Sequence, residues 1–243
     1  MHMLFSVRRL RLHSGLVMFA YIAIHLLNHA LGIGSLALAE RGLRAEMAFW
    51  RTTPATVLLY GAAALHFSLA LWTLYDRREW KLPWIEILRL ASGFSFPLLL
   101  IGHAVTTRLG DALFAIKPSY AMVIMNLLMT GRQGMQLALL APGWLHGCLG
   151  IWITLRRFDA MQRMKPLLAA LVILVPILAA AGFFRMAGEV LATQSPVRST
   201  VATEQSALAA WKDDVTTAYL GAIFAAFTLG QTRALMRRRS GGK

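Results

Sequence analysis

Six stretches of this chain are long enough and apolar enough to cross a bilayer, and no other feature restricts the fold as much. They run from about Leu12 to Leu38, Pro54 to Tyr75, Ile85 to Thr107, Gln133 to Leu155, Pro166 to Val190 and Val215 to Met236. A helix of about 20 predominantly apolar residues spans the hydrocarbon core. Backbone groups in lipid must be satisfied within their own segment, and these runs lack the alternation of barrel strands, so helices are expected throughout. Of the 243 residues, 57% are hydrophobic and 15% charged. Soluble domains carry about a quarter charged residues, which excludes a soluble enzyme. With no repeat, heptad or linker to divide it, the chain reads as one domain: an all-α bundle of six transmembrane helices.

The charged residues lie between the spans and set the direction of insertion. With the N-terminus inside, the inner segments carry 15 Lys and Arg against 3 acids, and the outer segments 9 against 7; Glu86 and Arg89, three residues apart in one helical turn, cancel. The excess of basic residues on one side puts both termini in the cytoplasm. The same distribution makes the net charge of +14 a matter of topology and lipid contact, and not of nucleic-acid binding. Arg8, Arg9 and Arg11 followed by an apolar run ending in Ala37-Leu38-Ala39 resemble a secretory signal, but such signals have apolar regions of about 7 to 15 residues. This run is longer and carries His25, Asn28 and His29 in its middle. The single cysteine, Cys148, excludes an intrachain disulfide and an iron–sulfur cluster held by this chain alone.

Five of the seven histidines fall within spans: His25 and His29 on the first, His66 on the second, His103 on the third and His146 on the fourth. One imidazole in a membrane is commonly an interhelical hydrogen bond. Four consecutive helices that each present one, while the last two present none, point to a shared ligand. A transported metal or a proton relay would recruit acids, yet no Asp or Glu occupies the middle of a span. Haem fits better, because neutral imidazole is a common axial ligand and a porphyrin supplies apolar bulk between facing helices. Two six-coordinate b haems need four imidazoles. Depth along the helices pairs His29 with His103 on an outer haem and His66 with His146 on an inner one. His25, one turn from His29 on the same face, is the alternative outer ligand, and the other of the two is free to meet a propionate or a quinone. Small residues near the ligands, Gly102, Gly143, Gly147 and Ala62 to Ala64, are expected to make room. Arg108, just past His103, is the outer candidate for a propionate or quinone contact, and Arg11 with His13 and Ser14 the inner one.

The motifs His25-Leu-Leu-Asn-His29-Ala-Leu-Gly32, Leu65-His66-Phe67, Gly102-His103 with Thr107-Arg108, and His146-Gly147-Cys148 together resemble the six-helix cytochrome b membrane anchor of a group of bacterial class III adenylate cyclases. That anchor is similar to the dihaem cytochrome b subunits of succinate dehydrogenases and fumarate reductases. The resemblance runs from about Arg9 to Glu189. It implies two b haems, exchange with the quinone pool in the bacterial inner membrane, and redox control of a cytoplasmic cyclase domain attached after the sixth helix. Such cyclases act as dimers, so a homodimer is also implied. The present chain ends a few residues beyond its sixth apolar run, so the anchor itself is expected to be non-catalytic. A respiratory anchor subunit passing electrons to or from quinone is the second reading, and a metal or proton-coupled transporter the third.

Overall fold

A computed structural model describes residues 2–193 and 202–240. Among these there is no strand. Ten α-helices follow in order: α1 His2–Leu31, α2 Leu36–Trp50, α3 Thr53–Asp76, α4 Trp84–Ala104, α5 Gly110–Phe114, α6 Tyr120–Thr130, α7 Gln133–Leu155, α8 Asp159–Arg163, α9 Lys165–Thr193 and α10 Ala202–Ser240. A π-helical turn, Val105–Leu109, joins α4 to α5. Five helical segments are long and apolar enough to cross a membrane: Val7–Leu31, Thr53–Asp76, Trp84–Phe114, Gln133–Leu155 and Lys165–Thr193. Their outer faces are openly apolar, with Val57 and Ile173 more than 60% exposed, and so is that of α10 at Phe224. The chain is a multi-pass membrane protein with an all-α helical bundle.

Several boundaries differ from the sequence reading for local reasons. The first membrane helix stops at Leu31 and not Leu38, because Gly32 and Gly34 sit in a turn and Ser35 caps a new helix, its hydroxyl accepting from the Leu38 amide at 3.1 Å. The connections between the apolar runs at 40–53 and 108–132 are largely helical. Helix α2 is amphipathic: Ala39 and Glu46 turn inward while Arg41 and Arg44 are exposed. The third run continues past Thr107 through the π-helical turn to Phe114. The sixth run is not among the five apolar segments, since Thr216, Thr217, Thr228, Gln231 and Thr232 dilute it. Helix α10 nevertheless packs against the second half of α3 and against α4 from Phe94 onward. Leu208 packs with Ile101 and Ile116, the Tyr219 hydroxyl donates to the Phe94 carbonyl at 2.8 Å, and Gly230 lies against the Tyr75 carbonyl. The side chains of Arg238 and Arg239, and Lys243, lie outside the described residues.

Five helices enclose the interior, α1, α3, α10, α4 and α7 in turn. Helix α1 packs on α3, α7 and α9, α4 packs on α7, and α10 bridges α3 and α4. The diagonal pairs, α1 with α4 and α3 with α7, are not packed on each other, which leaves the centre to side chains. Glycine allows the closest approaches: a Cβ on Gly182 of α9 would strike the His29 carbonyl, and one on Gly42 of α2 would strike the Asn28 side chain. At the outer end α2, α6 and α9 bury Ala39, Tyr120, Ile124, Phe183, Met186 and Val190 together. Helix α6 is fixed there because the Glu40 carboxylate accepts from the Ala121 amide at 3.1 Å.

Candidate functional site

The inner site lies across the α3–α7 diagonal, where the rings of His66 and His146 have centres 6.1 Å apart and stand nearly perpendicular. Their hydrogen bonds fix which nitrogen is bare. His146 Nδ1 lies 2.8 Å from the Arg89 carbonyl, which can only accept, so Nδ1 carries the proton and Nε2 keeps its lone pair. His66 Nδ1 lies 3.2 Å from the Ser14 hydroxyl oxygen. That hydroxyl donates to the Leu10 carbonyl at 2.8 Å, so it accepts from His66 and leaves Nε2 bare there too. Glycines seat both rings. A Cβ on Gly15 would come within 3.2 Å of His66, and one on Gly93 within 2.5 Å of His146. Gly143 and Gly147 receive the rings of Phe96 and Phe19, whereas Gly102 faces open space near Lys212. Arg11 and Arg89 stand at the inner end, each with a buried Nε that has no partner. Arg11 also donates to the Thr73 hydroxyl at 2.6 Å. His13 is exposed and takes no part.

The outer site gathers His25, His29 and His103 about ten residues further along α1 and α4. That places it about 15 Å from the inner site at 1.5 Å per helical residue. The ring facing His103 is that of His25, with centres 6.0 Å apart; His29 lies 4.9 Å from His25 and 5.1 Å from Tyr120. His25 Nδ1 is 3.0 Å from the Glu46 carboxylate, which holds a proton on Nδ1, so in the neutral ring it is Nε2 that carries the lone pair. The nearest partner of His103 Nδ1 is the side-chain amide of Gln136 at 3.3 Å. An amide nitrogen can only donate, so a bare Nε2 on His103 requires the amide turned to present its oxygen, an exchange of like-shaped ends. His29 is buried, and its Nδ1 has no partner. Asn28, oriented with its oxygen accepting from the Tyr120 hydroxyl at 3.2 Å and its nitrogen donating to the Ala39 carbonyl at 3.3 Å, ties α1 to α2 and α6. Arg108, in the π-helical turn beyond His103, reaches the Thr56 hydroxyl at 3.4 Å and lies over the Tyr60 ring. Arg51 pairs with Asp111, which also holds Lys117 at 3.0 Å.

Two imidazoles bonded at about 2 Å to a single metal ion have ring centres about 6 Å apart. Both facing pairs have that spacing, and three of the four rings have Nδ1 bound to an acceptor, the arrangement that orients a histidine for ligation through Nε2. Two imidazoles per site and no nearby thiolate suit a haem, which His66 with His146 and His25 with His103 would hold. Among the described residues no group of three or more His, Cys, Asp or Glu converges to hold a bare metal ion. Three features were missed in the sequence. Gly15 and Gly93 lie on different helices from the histidines they seat, so no spacing joins them. Ser14 was read with Arg11, not with His66. Glu46 lies outside every apolar run; the only signal for it is its place seven residues after Ala39 on the buried face of α2. Comparison with protein-family models, with characterised proteins and with solved structures gives no match.

Proposed function

We propose that the protein is a dihaem b-type membrane cytochrome that exchanges electrons with the quinone pool of a bacterial cytoplasmic membrane. One observation carries this reading: two facing imidazole pairs, at 6.1 and 6.0 Å, each between two helices of one bundle that do not pack on each other. His66 and His146 would hold the inner haem. His25 and His103 would hold the outer one, with His29, the other outer candidate, beside them with an unpartnered Nδ1. A haem bound in this way supplies reversible one-electron storage. The chain's own residues do the rest. Ser14, the Arg89 carbonyl and Glu46 fix the imidazole protons on Nδ1; Gly15 and Gly93 keep the rings seated; Phe19 and Phe96 fill the core and exclude water. Arg11 and Arg89 supply positive charge for propionates at the inner end, and Arg108 for a propionate or a quinone headgroup at the outer end.

The resemblance to cyclase anchors makes redox sensing for an attached cytoplasmic domain the proposed use of this cytochrome, with α10 as the element leading to it. Pyridine haemochrome analysis of the purified protein should give two haems per chain, reduced by a quinol analogue. A colourless protein, or haem that quinol does not reduce, overturns the proposal.

A further inference from the structure

The two imidazole pairs differ in the charge of the group behind them, and that difference orders them. At the inner pair both Nδ1 partners are neutral: the Ser14 hydroxyl on His66 and the Arg89 carbonyl on His146. At the outer pair the partner of His25 is the Glu46 carboxylate, 3.0 Å away with its side chain 5% exposed. We infer that Glu46 is a positioning residue that holds iron at the His25–His103 pair at a lower reduction potential than iron at the His66–His146 pair. The inference rests on the two-haem reading and adds to it the direction in which electrons settle. A carboxylate that accepts the Nδ1 proton makes the imidazole a stronger donor and stabilises the more positive, oxidised iron. Little water screens a carboxylate this buried, so its charge acts strongly.

The remaining charges act in the same sense. At the outer end Arg51 and Lys117 share the one carboxylate of Asp111, Arg108 lies against Thr56 and Tyr60, and Glu46 subtracts a further charge, which leaves this end less positive than the other. At the inner end Arg11 has only neutral partners, and Arg89 reaches Glu86 at 3.7 Å while Glu86 is held more closely by Arg77 at 2.6 Å. Net positive charge beside His66 and His146 favours the reduced state there. Electrons entering at the outer end therefore come to rest at the inner end.

The test is a spectroelectrochemical titration of the full, haem-loaded chain. Two components are expected, and Glu46→Gln should raise the lower one at least tenfold in its reduction equilibrium constant, about 59 mV for one electron. The higher one should stay where it is. Glutamine still accepts from Nδ1, so the substitution removes charge with little change in shape. Two bound haems with the lower component unmoved, or with the higher one moved instead, would overturn the inference and leave the two-haem reading intact. A parent protein without haem would sink both. Should Glu46→Gln fail to assemble, His66→Ala and His25→Ala give the order directly. The haem left in His66→Ala must titrate as the lower component and that in His25→Ala as the higher, and the reverse order refutes the assignment.

Discussion

His66 and His146 each hold their Nδ1 proton against an acceptor on a neighbouring helix, so neither ring is oriented by its own helix alone. Replacing either with alanine should remove one haem of two, halving the haem-to-protein ratio while the bundle stays folded, as read by haemochrome analysis and circular dichroism. His25→Ala should remove the other haem. His29→Ala should keep it, because His29 is not the ring that faces His103; loss of haem in His29→Ala with retention in His25→Ala would reverse the outer assignment. Gly93 offers a test that touches no ligand. An isoleucine there must push against the His146 ring, and the expected outcome is loss of the inner haem's low-spin ferric spectrum with the outer one preserved. If both spectra persist, Gly93 does not seat the ligand.

Helix α2 shows why some of the site was legible in the sequence and some was not. The histidines could be found because imidazole is costly in a membrane and stands out among Leu, Ala and Val. Glu46 could not, because a glutamate between spans is ordinary, and only the turn at Gly32 to Gly34 folds its helix back over the bundle. The apolar runs located the membrane helices, whereas their ends were set by single residues that hydropathy does not weigh, such as Ser35 as a cap. Helix α10 illustrates the opposite limit: its threonines and Gln231 make it a poor apolar segment, yet packing against α3 and α4 holds it along the bundle. Two variants test these elements. Gly42→Leu, which forces α2 away from Asn28, should cost about 1 to 3 kcal/mol by overpacking and lower the thermal midpoint in detergent. Gly230→Leu should loosen α10 from Tyr75 while leaving both haems bound, since no histidine lies on α10.

For the molecule as a whole, the described beginning and end of the chain lie at the same end of the bundle: Arg11 reaches Thr73 near the end of α3, and Arg233 pairs with Asp76 at 3.4 Å. Cysteines placed at Arg157 and Arg44 on a Cys148→Ser background should therefore label from opposite sides of the membrane, Arg157 from the cytoplasm; labelling of both from one side would refute the topology. Spin labels on α10 and α3 should report different distances with the haems oxidised and reduced if α10 carries the redox state outward. Identical distances in both states would leave the protein an electron carrier and not a sensor. Helices α1 and α4 serve both levels, seating the inner rings with Gly15 and Gly93 and carrying the outer rings His25 and His103, ten positions apart in each helix. That equality makes the core intolerant of length change: one residue inserted in either interval turns everything beyond it by about 100° and lifts it 1.5 Å. A substitution in this core disturbs one level at a time, whereas an insertion or deletion within either interval shifts one level against the other and can be accepted only as a matched pair.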